Sequence, residues 1–94
     1  MTQTEKIISV YQDQYMWALY YEKIIKHHKD ELNEEFFEYL CNKSETHRHA
    51  SRVLVGLLSA GLIRKYIPPA RLIATKMANE TYENWLKDRS RREE

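Results

Sequence analysis

The chain has 94 residues, of which 43% are hydrophobic, and its 15 Lys/Arg and 14 Asp/Glu give a net charge of +1. This length allows one domain with a modest core, and the apolar content excludes a wholly disordered chain. Cys41 is the single cysteine, so no internal disulfide can form and we expect a reducing, cytoplasmic location. The longest apolar run, residues 53–63, is too short for a bilayer span of about 20 residues, so we expect no membrane partner.

The near-zero net charge conceals a strongly uneven distribution along the chain. Residues 46–79 contain no Asp or Glu at all. Residues 1–45 hold five Lys/Arg against nine Asp/Glu, which is −4, whereas residues 46–94 hold ten against five, which is +5. A one-sided basic block of this kind predicts an anionic partner.

Long helices are predicted by the scarcity of turn residues, because only two glycines and two prolines occur and none precedes Gly56. The first helix is expected from near Thr4 to about Lys29. Its apolar residues recur at helical spacing: Ile7, Ile8, Tyr11, Tyr15, Ala18, Leu19 and Ile25. Glu22 falls inside this stripe, and we expect its carboxylate to reach water or to pair with Lys26 at i+4.

Two shorter helices are predicted next. Asn33 is a good N-cap for a second helix from Glu34 to about Asn42. Ser44 is expected to cap a third helix, which would end at Gly61 as a left-handed C′ residue. The inner faces are predicted to be Phe36, Phe37, Leu40 and Cys41 in the second helix, and Ala50, Val53, Leu54, Leu57 and Leu58 in the third.

Pro69 suits the first turn of a fourth helix, which is expected to run to about Lys87. Its predicted inner stripe is Ala70, Ala74, Met77, Ala78, Thr81, Tyr82 and Trp85. The sequence therefore predicts an all-α fold, a small four-helix bundle with a long N-terminal helix. Residues 1–87 are expected to form one helical domain, and residues 88–94 a flexible charged tail.

No motif for catalysis or metal binding stands out. His27 and His28 are adjacent, and His47 and His49 are two residues apart, so neither pair shares a helix face. Cys41 lies on an apolar face, where a thiol is usually inert, and no glycine-rich phosphate loop is present. We therefore predict a protein that is not an enzyme, with no catalytic residues, no metal site and no cofactor.

Residues 34–65 read Glu-Glu-Phe-Phe-Glu-Tyr-Leu, a polar turn, and then a helix pattern with Arg52 before a Leu54-x-x-Leu57 pair, closing on Gly61-Leu-Ile and two basic residues. This resembles the helix-turn-helix half of winged-helix transcriptional regulators, although no segment is available for a wing. The resemblance implies a DNA- or RNA-binding module, expected to be a homodimer, that uses the third helix as its reader. The resemblance implies that Arg48, Ser51 and Arg52 face the DNA, with Arg64 and Lys65 near phosphates. His47 and Arg71 complete the predicted nucleic-acid-binding set.

A second interpretation is a protein-binding adaptor or inhibitor, of the phage anti-defence or bacteriocin-immunity type, that acts by stoichiometric docking. The aromatic residues of the first helix would form its contact surface, because aromatic side chains give a large contact area at low entropic cost. These residues are Tyr11, Tyr15, Trp17, Tyr20 and Tyr21. The two interpretations differ on whether the basic block is free, or is covered by Glu31, Glu34, Glu35 and Glu38.

Overall fold

The computed structural model describes residues 2–93, and within them the fold is all-α with three helices rather than the predicted four. Helix α1 spans Gln3–His28, α2 spans Glu34–Val55 and α3 spans Ala60–Glu93. A single 3-10 turn, Lys29–Glu31, leads from α1 toward α2. The molecule is elongated, with principal extents of 48 × 23 × 19 Å.

Helix α1 is the central element, and its predicted extent is confirmed. The side chain of Thr2 caps it by accepting a hydrogen bond from the Glu5 backbone N–H at 3.1 Å. It runs antiparallel to α2 and parallel to α3, as the side-chain pairs along each helix show, and both helices pack on it while making little contact with each other. Ala18, at the middle of α1, is completely buried by these neighbours.

The predicted second and third helices are one continuous helix, so the break expected at residues 42–45 is wrong. Asn33 does cap the start of α2, because its Oδ1 accepts from the Phe36 N–H at 2.8 Å. Ser44, the expected second cap, is buried in the middle of α2 instead. Nothing in residues 42–45 prevents helix, since they include neither Gly nor Pro, and the Thr46 hydroxyl donates back to the Asn42 carbonyl at 2.8 Å.

Helix α2 ends at Val55 and not at Gly61. Gly56 follows it in right-handed geometry (φ −62°, ψ −16°), and no residue among those described has a left-handed φ. Gly61 is the second residue of α3, so the predicted C′ role is wrong. Because the chain leaves the helix before Leu57, the expected inner stripe is interrupted: Leu57 is 64% exposed and Leu58 is buried.

Helix α3 starts nine residues before the predicted position and passes through both prolines. Pro68 and Pro69 are exposed, so the two backbone hydrogen bonds they cannot donate are lost on the solvent side. The small residues predicted for the inner stripe are confirmed in the core, since Ala70, Ala74 and Ala78 are at most 3% exposed. The charged stretch from residue 88, expected to be flexible, continues as helix to residue 93, and residue 94 lies outside the described part.

Candidate nucleic-acid interface

The α2–α3 turn joins the two halves of the acid-free stretch and forms one end of the molecule. Arg52 lies in the last turn of α2, and Arg64 and Lys65 lie in the first part of α3. All three side chains are exposed, and none of them pairs with a carboxylate anywhere in residues 2–93. Lys65 Nζ lies 5.1 Å from the centroid of the Tyr66 ring, which leaves its charge at the surface.

The glutamates that could have covered this basic end lie at the opposite end of α2. Glu38 is 14 residues from Arg52 along one continuous helix, which corresponds to about 21 Å at a rise of ~1.5 Å per residue. Glu34 and Glu35 are farther still. Because α2 is not broken, it cannot fold back to bring these acids onto its own basic half.

Arg48, one of the predicted nucleic-acid-binding residues, turns inward toward α1. Its Nη2 and Nε lie 2.6 and 2.8 Å from Glu22 Oε1 of α1, so Glu22 pairs with Arg48 and not with Lys26, while its side chain remains 39% exposed to water as expected. The Ser44 hydroxyl donates to the same oxygen at 3.4 Å. The guanidinium carbon of Arg48 also lies 5.8 Å from the centroid of the Tyr15 ring. Arg48 therefore joins α2 to α1, and Glu22 neutralises its charge.

Arg71 approaches Tyr15 from α3. Its guanidinium carbon lies 5.7 Å from the ring centroid, so Tyr15 receives one arginine from each flanking helix. Arg71 Nε donates to the Tyr11 hydroxyl at 3.0 Å, and this hydrogen bond raises the pKa of Arg71 above its ordinary value. Arg71 remains exposed, so it can present its charge to an anion while its Nε is occupied.

His47 and Ser51 are also directed away from the surface predicted for them. His47 Nδ1 lies 2.7 Å from Gln14 Oε1, so it acts as the donor, and the ring stacks on Tyr21 at a centroid distance of 5.8 Å. Burial, and then the charge of Lys43, lower the pKa of His47, which keeps the ring neutral near pH 7. Ser51 is 3% exposed and donates to the Arg48 carbonyl at 2.6 Å.

The seven sequence-predicted contact residues therefore divide into two groups. One group is exposed at or near the α2–α3 end, and it consists of Arg52, Arg64, Lys65 and Arg71. The other group is turned toward α1, and it consists of His47, Arg48 and Ser51. A continuous α2 does not contain the turn that separates the two helices of a helix-turn-helix unit. The exposed residues of the predicted set therefore lie around the α2–α3 turn and on α3, and not on a separate short helix.

The aromatic residues of α1 do not form one surface either. Tyr11 is 1% exposed and belongs to the core beside Leu58, Ile67 and Ala70. The half-buried aromatic cluster of α1 consists of Trp17, Tyr20 and Tyr21, with centroid distances of 5.2 to 6.1 Å. Burial raises the pKa of both tyrosines in this cluster.

A polar cluster at the other end of α1 was not anticipated from the sequence. His28 Nε2 lies 2.6 Å from the Tyr82 hydroxyl, and its ring packs edge-on against Trp85 at 5.0 Å. Arg89 contacts His28 Nδ1 at 3.1 Å and pairs with Glu31. Hydrogen bonds from Arg89 and His28 lower the pKa of Glu31. Tyr82 and Arg89 lie 54 and 61 residues from His28 along the chain, so no local sequence pattern could reveal this cluster. The cluster connects α3 to the end of α1.

Neither metal ligands nor a membrane span emerge from the described residues. No three His, Cys, Asp or Glu side chains in residues 2–93 converge as a metal site. None of the helices there has both the length and the apolar character needed to cross a bilayer. No protein-family model, curated protein or solved structure matches this chain.

Proposed function

We propose that this chain is a small, non-enzymatic nucleic-acid-binding protein that contacts the phosphate backbone through its α2–α3 end. The contact residues are Arg52, Arg64 and Lys65, with Arg71 beside them. The observation that carries the proposal is the separation of charge in space. Arg52, Arg64 and Lys65 are exposed around the α2–α3 turn, and Glu34, Glu35 and Glu38 lie about 21 Å or more from Arg52 along α2.

Phosphate is the anion that suits this arrangement. Exposed Lys and Arg side chains on a rigid helical end neutralise a regular row of phosphates and release counterions, without any need for a pocket. Of the two arginines expected on the reading helix, Arg48 is held by Glu22, and Arg52 alone is free to reach base edges. We therefore propose binding that depends on charge and on the shape of the nucleic acid, with little dependence on base sequence.

The proposal is tested by replacing Arg52, Arg64 and Lys65 together with Ala and measuring affinity for labelled duplex DNA and RNA by fluorescence anisotropy across a salt series. Each phosphate contact contributes about −0.9 to the slope of log K against log salt for duplex DNA, so the variant should lose roughly two to three units of slope.

A matched control removes the same three charges from other surfaces, by changing Lys26, Lys87 and Arg92 to Ala. All three side chains are exposed and lie outside the α2–α3 end. The control should retain most of the affinity and slope. Equal losses in both variants would show that only net charge matters, and no measurable binding by the wild-type protein would reject the proposal.

A second candidate function is stoichiometric docking on another protein, as an adaptor or inhibitor. The observation that favours it is the half-buried cluster of Trp17, Tyr20 and Tyr21, because partly exposed aromatic groups are typical of interface hot spots. Under this hypothesis, changing Tyr20 and Tyr21 to Ala abolishes a defined one-to-one complex that the Arg52/Arg64/Lys65 variant retains. The opposite pattern would favour nucleic acid.

A further inference from the structure

A small cleft opens between the second half of α1 and the middle of α3, and we call it the α1–α3 cleft. Its α1 wall consists of Leu19, Glu22, Lys23 and Lys26. Its α3 wall consists of Thr75, Ala78 and Asn79. The volume of the cleft is about 190 Å³. An apolar cavity of about 150 Å³ is large enough to bind benzene, so the cleft has room for one apolar group of that size.

The cleft exists because α3 carries short side chains where it passes the second half of α1. Ala74 and Ala78 are completely buried, so the backbone of α3 lies close to α1 along this stretch. Thr75 and Asn79 follow these alanines by one residue and are exposed on a neighbouring face of α3. Because both side chains are short, space remains between them and Leu19 of α1.

The charges around the cleft favour an anion. Neither Lys23 nor Lys26 forms an ion pair with a carboxylate within residues 2–93. Glu22 also lines the cleft, but its Oε1 accepts hydrogen bonds from Arg48 and Ser44 of α2. Arg48 therefore neutralises this carboxylate from the α2 side, and two lysines are left to set the charge of the cleft.

The two lysines contribute both apolar and charged surface. Lys23 Nζ lies 5.4 Å from the centroid of the Tyr82 ring, near the end of the cleft that is closer to the end of α3. Lys26 is exposed. Lysine side chains lay their methylene groups along apolar surface while the ammonium stays in water. A group bound in the cleft therefore meets apolar atoms along its walls and ammonium groups at its rim.

We propose that the α1–α3 cleft binds a small aromatic carboxylic acid, in its ionised form, with an apolar body about the size of a benzene ring. The ring lies against Leu19 and Thr75, and the carboxylate accepts hydrogen bonds from Lys23 and Lys26 at the rim. A mostly apolar cleft with a few polar groups that fix the orientation of the ligand is the usual form of a small-molecule site. This site is separate from the phosphate contacts at the α2–α3 end.

The charge selectivity of the cleft is tested with benzoate and with benzyl alcohol, a neutral probe of nearly the same shape, in heteronuclear NMR titrations of the whole chain. Benzoate should shift the amide signals of residues 19–26 and 75–79 along a saturating curve. It should bind roughly three- to tenfold more tightly than benzyl alcohol, because only benzoate forms ion pairs with the two lysines.

The double variant Lys23→Gln/Lys26→Gln should bind the two probes equally, since no ammonium remains at the rim. The matched control is Lys76→Gln/Lys87→Gln, which removes two exposed lysines of α3 that do not line the cleft. This control should retain the preference for benzoate. An equal loss of preference in both double variants would show an effect of net charge only and overturn the site.

The position of the ring is tested by filling the cleft with Thr75→Met. Thr75 is exposed, so the longer side chain does not enter the core, and the helical circular-dichroism spectrum should be retained. The variant should bind neither probe. Its matched control is Leu72→Met, one turn earlier on α3 and 74% exposed, which should bind benzoate as the wild type does.

Three results would overturn the proposed site. They are no saturable shift with benzoate in the wild type, shifts confined to residues outside the cleft, and unchanged benzoate affinity in Thr75→Met. All three are observed without any nucleic acid present, so they are independent of the outcome of the duplex titrations.

Discussion

The Glu22–Arg48 ion pair is the strongest polar link between α1 and α2, and it allows a quantitative prediction. Breaking a fully buried pair costs about 3–5 kcal/mol. Exposed pairs contribute only about 0.2–1 kcal/mol. The Arg48 and Glu22 side chains are 31% and 39% exposed, and two short hydrogen bonds join them. We therefore expect Glu22→Gln to lower the free energy of unfolding by about 1–2 kcal/mol, between the two limits.

For a domain of this size, about 1 kcal/mol corresponds to roughly 4–8 °C in the thermal midpoint, so Glu22→Gln should unfold some ~5–15 °C below the wild type. The assay is urea unfolding of Glu22→Gln, Arg48→Met and the double variant, followed by circular dichroism. The double-mutant cycle should give a coupling free energy of about 1 kcal/mol, because the second substitution removes an interaction that the first has already broken.

The matched control is the cycle of Glu22→Gln with Lys26→Met, which tests the i, i+4 pair that the sequence suggested. These two changes should be additive within about 0.3–0.5 kcal/mol. A Glu22–Arg48 coupling inside that same range, or a larger coupling to Lys26, would refute the assignment of Arg48 as the partner of Glu22.

Three further predictions concern single side chains. Arg48→Ala should change the affinity for duplex DNA little, because Glu22 already neutralises the charge of Arg48. Arg52→Ala should weaken binding and lower the slope of log K against log salt by about one unit in anisotropy titrations. Equal losses of affinity in the two variants would contradict this prediction. Burial lowers the pKa of His47 in the folded protein below its ordinary value of 6.5. As the pH falls below 6.5, the unfolded chain therefore binds a proton on His47 before the folded protein does. The free energy of unfolding should be highest above pH 6.5 and should decrease as the pH falls toward the pKa of the folded state. Thermal unfolding of His47→Gln should show a smaller loss over this pH range, and an unchanged profile would exclude His47 as its source. Pro68→Ala restores a backbone donor inside α3 and should raise the free energy of unfolding by about 1–3 kcal/mol in urea titrations; a loss of stability would show that α3 requires the proline.

Local chemistry explains which features of the fold were predictable. Thr2 and Asn33 lie directly before α1 and α2, and their side chains accept hydrogen bonds from backbone N–H groups in the first turns of these helices. Such caps involve residues only three positions apart, so they can be recognised in the sequence. The alanine stripe Ala70, Ala74 and Ala78 repeats every four residues, and this spacing alone places it on one buried face. Helix identity, the start of α2 and the inner face of α3 depend on such short-range patterns.

The number of helices was not predictable in the same way. Asn42, Ser44 and Gly61 have a weak local preference for helix ends, but packing of α1 against the buried Ser44 and Leu40 stabilises one uninterrupted helix through that region. The Pro68-Pro69 pair was expected to begin a helix, yet α3 continues through it with both rings exposed to solvent. In each case the burial of apolar side chains against other helices outweighs the local preference for ending the helix, which is about 1 kcal/mol for Gly and about 3 kcal/mol for Pro.

The basic residues show the same division between sequence and structure. The order of residues alone revealed a stretch of 34 residues without Asp or Glu, because the formal charge of a side chain can be read without knowing the fold. Which arginines are free depended on partners far away in the chain: Glu22 lies 26 residues from Arg48, and Tyr11 lies 60 residues from Arg71. Only the packing of α2 and α3 on opposite flanks of α1 neutralises Arg48, holds Arg71 and leaves Arg52 exposed, because side-chain pairing depends on distance in space and not on distance along the chain.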